Sequence, residues 1–322
     1  MPEPRELLER LKNYIQSEAE AQYRAIKSQW SKPLAIRVAR GWAIEGVRIE
    51  RFDGQTLKLR CAKNDSRFRE GDLIALHRGN PEGEGALHLD LEYDGELALE
   101  ARLIEGNDQF LHAHSEGWII DQDTLDLSRY YLSALNIVAD SARGRSIILP
   151  MLMGTREVQV DYARYSQAFE VLSDTQLNES QIESIAQAYA SDLYHLIQGP
   201  PGTGKTLTLA YLAKLLADDG LRVFVTGLTH RSINNALNKI ADVDELLAVC
   251  KIGNPRQGED LIVENYPSFV ESQFGDLGGG YIIGGTPFAL QSNRLSNVGF
   301  DVVLFDEASQ VTMPLAIMGM LA

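Results

Sequence analysis

Cysteine and long apolar runs are both scarce in this chain of 322 residues. It has only two cysteines, Cys61 and Cys250, too few for a disulfide framework, so we expect two small buried side chains in a reducing compartment. The apolar stretch from Ile147 to Met153 is interrupted by Pro150 and is too short to span a bilayer. The N-terminus lacks the apolar h-region of a signal peptide. We therefore expect a cytoplasmic protein without a membrane partner.

Positive charge is also in short supply. The 30 Lys and Arg face 45 Asp and Glu, a net charge of −15, which argues against coating nucleic acid by bulk charge. The distribution is uneven, however. Residues 31–80 hold 11 basic and 6 acidic residues, whereas residues 81–127 hold 1 and 13. These stretches can be two solvated faces, or the basic part can lie near a phosphate backbone while the acidic part faces away.

The composition is otherwise that of a globular chain, with 44% hydrophobic and 23% charged residues. Its length allows about two domains. The hydrophobic pattern predicts four consecutive parts: a helix in residues 1–30, a β-barrel domain in 31–126, a helix and linker in 127–174, and an α/β domain in 175–322.

The first half of the chain changes its hydrophobic period. Helical spacing from Arg5 to about Trp30 predicts one amphipathic helix, which ends before Pro33. From Leu34 the period becomes two, and short apolar runs broken by glycines predict a β-meander or a small β-barrel. A further helix is predicted from about Leu127 to Arg143.

Two leucine-rich rows, in residues 87–91 and 97–101, predict a β-hairpin. A two-residue Asp94-Gly95 turn would set the rows on opposite faces of the hairpin. A three-residue loop, Tyr93 to Gly95, pairs Leu91 with Leu97 and puts both rows on one side. We therefore predict the bulged turn with Gly95 left-handed.

Beyond residue 175, apolar strands alternate with helices. Helices are predicted at Lys205–Asp218 and Ser232–Ile240. This alternation predicts a parallel α/β sheet flanked by helices. The predicted strands are Leu193–Ile197, Arg222–Val225, Leu246–Ile252, Tyr281–Ile283 and Val302–Phe305.

A glycine-rich loop follows the first of these strands and opens a helix, which is the setting of a P-loop. It consists of Gly199, Pro200, Pro201, Gly202, Thr203, Gly204, Lys205 and Thr206. Glycines let backbone N–H groups close around phosphate oxygens, and the helix N-terminus adds its positive dipole end. Lys205 can reach the β- and γ-phosphates, and the Thr206 hydroxyl can bind Mg²⁺. The loop therefore predicts a nucleoside triphosphate site.

Two carboxylates end the last apolar strand. In P-loop proteins such a strand places an acid beside the metal, so we assign Asp306 to Mg²⁺. Glu307 is then the candidate general base for the attacking water. An N-terminal helix cap would explain the same dipeptide, but its place after a P-loop and an apolar strand favours the catalytic interpretation.

The run Asp306-Glu307-Ala308-Ser309-Gln310 resembles motif II of superfamily 1 helicases. It is most similar to the five-prime to three-prime branch that includes the nonsense-mediated-decay RNA helicase and the replication helicase-nuclease. Residues 177–181, LNESQ, resemble the Q motif of that family. The resemblance implies that Gln181 reads the adenine of ATP and that Gln310 senses the γ-phosphate.

Two further strand ends resemble family motifs that contact nucleic acid. The first is motif Ia, with Thr229, His230, Arg231 and Ser232; the second, a weaker match, includes Thr286. Hydroxyls, a cation and helix-end N–H groups suit phosphate contacts that position a strand without reading its sequence. Helix capping by Thr229 or Ser232 is compatible with that role.

Other candidate residues carry weaker signals. His112 and His114 lie two apart and would share a strand face, which makes a metal pair possible, but exposed strand residues are the favoured interpretation. Three tryptophans could stack on bases, although packing is the favoured role for each. They are Trp30, Trp42 and Trp118.

The chain ends soon after Gln310, whereas the resemblance implies a further strand with motif III and a second RecA-like domain that supplies arginine fingers. We therefore expect a RecA-like domain that is incomplete at its C-terminus and a second one in a longer chain. Loss of an arginine finger typically costs ~10³–10⁵ in rate. The chain alone is expected to bind nucleotide poorly and not to unwind.

Three functions remain open from the sequence. The leading one is an ATP-dependent helicase or translocase that uses ATP, Mg²⁺ and single-stranded DNA or RNA. The second is a nucleotide-gated binding or scaffold module without productive hydrolysis, against which the intact Glu307 weighs. The third is a P-loop enzyme such as a small-molecule kinase, which Gln181 and the run from Asp306 to Gln310 disfavour.

Overall fold

A computed structural model describes residues 3–69, 71–258, 260–295 and 298–322. The chain forms two compact units. One consists of residues 16–128; the other combines residues 1–15 with residues 129–322. Among the described helices, none has the length and apolar content needed to cross a bilayer.

The unit of residues 16–128 is built on a closed antiparallel barrel, with strands in the order β1-β2-β5-β4-β3-β6. Its core contains the inward-facing leucines of β2, β4 and β5 together with Trp118, which is 1% exposed. This confirms the predicted barrel and the packing role of Trp118. The strands are β1 (Ala43–Phe52), β2 (Thr56–Arg60), β3 (Leu73–His77), β4 (Leu87–Asp94), β5 (Ala98–Glu105) and β6 (Trp118–Gln122).

Helix α1 (Pro4–Trp30) has the bounds that helical spacing predicted, within one residue. It is followed by helix α2 (Leu34–Ala39), where the period of two had predicted a strand, so that prediction is wrong. The N–H groups of Ile36 and Arg37 both donate to the carbonyl oxygen of Pro33 and start the helix. The helix also directs Arg37 to Asp121 of β6, and both side chains are buried.

The β4–β5 hairpin keeps both leucine rows in the core, but not through the predicted turn. Tyr93 pairs with Glu100 and Asp94 with Leu99, so residues 95–97 form the loop and Leu97 is 49% exposed. Gly95 lacks the predicted positive φ. Bulges at 88/89 and 91/93 shift the register and keep the rows on one side. Position-by-position pairing could not foresee these bulges.

His112 and His114 do not share a strand face. His112 lies in helix α3 (Gln109–Ala113), and His114 follows it. Within the described ranges, no group of three or more His, Cys, Asp or Glu residues could hold a metal ion. The metal-pair interpretation therefore gains no support from the fold.

The second unit contains a parallel sheet in the order β11-β7-β10-β8-β9. The strands are β7 (Arg222–Thr226), β8 (Val249–Ile252), β9 (Asn265–Tyr266), β10 (Tyr281–Gly284) and β11 (Val302–Phe305). The flanking helices include α7 (Glu179–Ala190), α8 (Lys205–Asp218) and α9 (His230–Val243). This fold confirms the prediction of a RecA-like domain after a barrel.

Further helices complete this unit. They are α4 (Ser128–Asp140), a π-helical turn (Gly144–Ile148), α5 (Leu149–Leu152), α6 (Tyr162–Ser173), α10 (Phe269–Ser272), α11 (Pro287–Leu290) and α12 (Met313–Gly319). Leu8 and Ile15 of α1 pack with Leu135 and Val138 of α4 in one apolar cluster. The stretch after the predicted helix, which was predicted as a linker, thus includes helices α5 and α6.

Leu193–Ile197, predicted as the first strand of this sheet, forms neither a helix nor a paired strand. None of its N–H groups donates to a backbone carbonyl within the described ranges. The strand prediction is therefore wrong for this structure. The segment has the apolar residues of a strand, but a strand exists only with a hydrogen-bonded neighbour.

Candidate functional site

The P-loop curves because two of its glycines have positive φ. Gly202 has φ 80° and Gly204 has φ 81°, and α8 begins directly after Gly204. The Lys205 ammonium donates to the carbonyl oxygens of Gly199 (3.0 Å) and Pro200 (3.3 Å). The N–H groups that open α8 have no partner within the helix, so they can donate to the oxygens of an anionic ligand.

Gln181 connects the P-loop to helix α7. Its amide nitrogen donates to the carbonyl oxygen of Thr203 (3.1 Å), and its amide oxygen accepts from the N–H of Asn178 (2.9 Å). The Asn178 side chain in turn accepts from the N–H of Gln181, which completes a capping box at the start of α7. The residue that the resemblance assigned to adenine is therefore fixed beside the phosphate loop.

Asp306 and Glu307 follow β11 at the carboxyl end of the sheet. Asp306 is buried, and its carboxylate accepts from the N–H of Glu307 (3.1 Å). Burial raises the pKa of Asp306, and the positive charge of Lys205 acts in the opposite direction. The structure thus brings the P-loop lysine and the candidate metal ligand into one electrostatic site.

Glu307 is exposed and has a left-handed backbone, with φ 50°. This conformation is uncommon for a residue other than glycine, and such strain is concentrated at functional sites. Gln310 ends the following 3₁₀ turn, where its N–H donates to the carbonyl oxygen of Glu307 (2.9 Å).

The donor set fits a nucleotide with its metal. Thr206 offers a hydroxyl from the first turn of α8, and Asp306 offers a carboxylate; such hard oxygen ligands suit Mg²⁺. Lys205 supplies a cation for phosphate oxygens. The assignment of these residues to ATP and Mg²⁺ stays a prediction that the geometry supports.

The predicted nucleic-acid residues lie at the ends of neighbouring strands. Thr229 caps α9, since its hydroxyl accepts from the N–H of Ser232 (3.1 Å). Arg231 is exposed on the first turn of this helix. Thr286 follows β10, which pairs with β7, and it precedes α11. The structure therefore brings these residues to one edge of the sheet, at the carboxyl ends of its strands.

His230 carries no positive charge at neutral pH in this setting. Burial, and then the charges of Lys251 and Arg294, lower the pKa of His230 to about 4. Its Nδ1 atom is buried and has no hydrogen-bond partner in the part of the chain that the structure describes. The cation of this motif is therefore Arg231.

Sequence reasoning missed a polar stripe along α9. Lys251, fully buried in β8, donates to the Asn234 side chain (2.7 Å) and to the carbonyl oxygen of Gln257 (2.8 Å). Asn238, one helical turn farther along, donates to the carbonyl oxygen of Asp260 (2.6 Å). These side chains hold the loop after β8 in place. In the sequence they are visible as a lysine inside an apolar strand and as two asparagines four residues apart on a helix.

The fold and this site define a P-loop domain that is similar to those of superfamily 1 helicases. Residues 176–273 match the AAA domain family. The chain is 30% identical to the "DNA replication ATP-dependent helicase/nuclease DNA2" of Saccharomyces cerevisiae over 156 residues, which are 46% of this chain and 10% of that protein. The Schizosaccharomyces pombe protein of that description is 28% identical over 148 residues, or 44% of this chain and 10% of that protein.

The human DNA2 protein gives a similar result, with 28% identity over 157 residues, or 44% of this chain and 14% of that protein. The chain thus spans about a tenth to a seventh of the length of these relatives. Motif II and the Q motif indicated a resemblance to superfamily 1 helicases. The AAA domain match and these similarities confirm that resemblance.

Proposed function

We propose that this chain carries the ATP-binding half of a motor that moves along single-stranded nucleic acid. The observation that carries the proposal is the backbone geometry of the P-loop, in which Gly202 and Gly204 have positive φ and α8 begins directly after Gly204. Asp306 follows β11, and the charge of Lys205 acts on its carboxyl group. Such an arrangement serves a nucleotide with its metal, and not a helix cap alone.

Each residue of the site has a role in this proposal. Bound Mg²⁺ would neutralise charge on the phosphates, held through Thr206 and Asp306. Lys205 orients the β- and γ-phosphates, and the Glu307 carboxylate accepts a proton from the attacking water. Gln181 and Gln310 have the roles that the resemblance implies, at the adenine and the γ-phosphate.

The single-stranded nucleic acid would cross the sheet at the carboxyl ends of its β-strands. Thr229 to Ser232 offer hydroxyls, the Arg231 cation and helix-end N–H groups, and Thr286 extends the same edge. Contacts of this kind bind the backbone and tolerate any sequence. The names of the relatives favour DNA as the strand, and the family resemblance implies movement from five-prime to three-prime. A second RecA-like domain is the partner we propose for hydrolysis.

The test is ATP turnover by the full-length protein with and without single-stranded DNA or RNA. We expect single-stranded nucleic acid to stimulate ATP turnover. We expect Lys205→Ala and Glu307→Gln each to reduce the stimulated turnover by at least about 100-fold, which is the lower end of the contribution of a general base. Glu245→Gln, which makes the same change at an exposed residue after α9, should leave turnover unchanged.

Two outcomes would contradict the proposal. Turnover that neither DNA nor RNA changes argues against a motor on nucleic acid. Turnover that survives Glu307→Gln removes the catalytic role of that residue. Strand binding that depends on ATP while no ATP is hydrolysed would instead support the nucleotide-gated binding module.

A further inference from the structure

A cation lies over an aromatic ring in the segment that connects α2 to the first strand of the barrel. The guanidinium of Arg40 is 4.8 Å from the centre of the Trp42 ring. Between them, Gly41 has φ 72° and turns the chain from α2 into β1. The Trp42 N–H donates to the carbonyl oxygen of Arg37 (2.9 Å), and its carbonyl oxygen accepts from the N–H of Gln122 (3.1 Å). The backbone beneath this pair is therefore fixed.

A second arginine joins this pair from the loop between β2 and β3. The N–H of Arg67 donates to the carbonyl oxygen of Gly41 (2.9 Å). The approach is close, because a Cβ atom on Gly41 would lie 3.0 Å from Cγ of Arg67. Phe68, the next residue, is buried in the barrel core, whereas Arg67 is exposed. We call Arg40, Trp42 and Arg67 the Trp42 patch.

The loop that carries Arg67 is held at its other end as well. The Asn64 side chain donates to the Asp94 carboxylate (2.7 Å) and to the carbonyl oxygen of Gly95 (2.9 Å). Anchors at Asn64 and Phe68 hold the segment between them, so Arg67 loses little backbone freedom on binding a ligand.

The arginines of this patch differ from two basic residues of β2, which are paired with acidic neighbours. Lys58 forms an ion pair with Glu100 (2.7 Å), and Arg60 forms one with Glu50 (2.6 Å). By contrast, no carboxylate in the described ranges forms an ion pair with Arg40 or Arg67. The patch therefore presents two exposed guanidinium groups beside a half-buried indole, with their charge available to a ligand.

We propose that the Trp42 patch binds single-stranded nucleic acid, as a contact separate from the RecA-like sheet edge. Bases stack on aromatic rings and on guanidinium planes, and guanidinium groups bind phosphates in a bidentate manner. Arg40 over Trp42 offers a flat cationic face for a base, and Arg67 lies beside it for the adjacent phosphate. The inference rests on the proposed function, because it assigns a second contact to the same ligand.

The test compares two double charge reversals in the full-length protein, by fluorescence anisotropy with a labelled oligothymidylate at several salt concentrations. Arg40→Glu with Arg67→Glu changes the patch. Arg48→Glu with Arg51→Glu makes the same charge change at exposed residues of β1. We expect the patch variant to lose affinity about tenfold or more, and its salt slope to weaken by about 0.7 for each lost phosphate contact. The control should change less than twofold.

A cross-link supplies an independent readout. An oligonucleotide with 5-iodouracil, irradiated in complex with the wild-type protein, should cross-link to the peptide that contains Trp42. Equal loss of affinity in both double variants, an unchanged salt slope in the patch variant, or cross-links confined to the second unit would each overturn the inference. If the wild-type protein binds no single strand at all, the proposed function fails first, so the two failures are distinguishable.

Discussion

The protonation of individual residues at this site depends on their burial, which the motifs do not reveal. Burial raises the pKa of Asp306, so its carboxylate is costly to ionise until a cation compensates it, and Lys205 supplies part of that compensation. Burial also lowers the pKa of Lys251 to about 8. Motifs identified the P-loop and the acids because their spacing is local. They could not identify Lys251 or the neutral state of His230, because both depend on neighbours from other elements.

His230 should make the stability of this unit depend on pH. Its pKa of about 4 in the folded chain lies below the ordinary value of 6.5. The unfolded chain therefore takes up the proton first, so stability is complete above pH 6.5 and is lost as the pH falls toward 4. Between pH 7.5 and pH 5 we expect the wild type to lose roughly 2 kcal/mol more than His230→Gln.

Chemical denaturation at the two pH values measures this difference in the free energy of unfolding. His112→Gln, at an exposed histidine in α3, is the matched control and should behave like the wild type. Equal pH dependence of the wild type and His230→Gln would show that the imidazole is not buried as described.

Among the elements of the fold, the P-loop and helix α7 are connected through the side chain of Gln181. Its amide bonds Thr203 on one side and Asn178 on the other. A Cβ atom on Gly204 would lie 2.6 Å from the Gln181 amide nitrogen, whereas a Cβ atom on Gly202 would meet nothing within 4 Å. Both glycines have nearly the same positive φ, so the pair separates backbone strain from the contact with Gln181.

Gly202→Ala should cost about 1–2 kcal/mol of stability from left-handed strain alone. Gly204→Ala should cost about 1 kcal/mol more, because displaced Gln181 loses its hydrogen bonds to the loop and the cap. Thermal and chemical unfolding of both variants measure the difference. In a Gln181→Ala background the two substitutions should become equal; a difference that persists there would exclude Gln181 as its cause.

Some elements were predictable from sequence and others were not, for physical reasons. Helix α8 has the predicted bounds because its apolar period and its glycine start signal are both local. The six-residue helix α2 was missed since six residues cannot distinguish the two periods. The strand at Leu193–Ile197 and the register of the β4–β5 hairpin failed because pairing depends on a second segment.

For the whole molecule, the net charge of −15 does not describe where positive charge lies. Positive charge is concentrated locally, at Arg231 on the RecA-like sheet edge and at Arg40 and Arg67 on the barrel. Binding at such places depends on local potential more than on the sum of charges. The division of the chain into two compact units likewise could not be located to the residue from composition, because α1 contributes to both.

In the proposed motor, ATP bound at the P-loop and single-stranded nucleic acid bound at the sheet edge change one another's affinity. The most direct measurement is the affinity of the full-length protein for single-stranded DNA and RNA, with and without saturating magnesium and a non-hydrolysable ATP analogue. Lys205→Ala serves as the control. We predict that the analogue changes the wild-type affinity at least about fivefold, a coupling of roughly 1 kcal/mol or more, and leaves the affinity of Lys205→Ala unchanged. Equal wild-type affinities with and without the analogue would contradict the account.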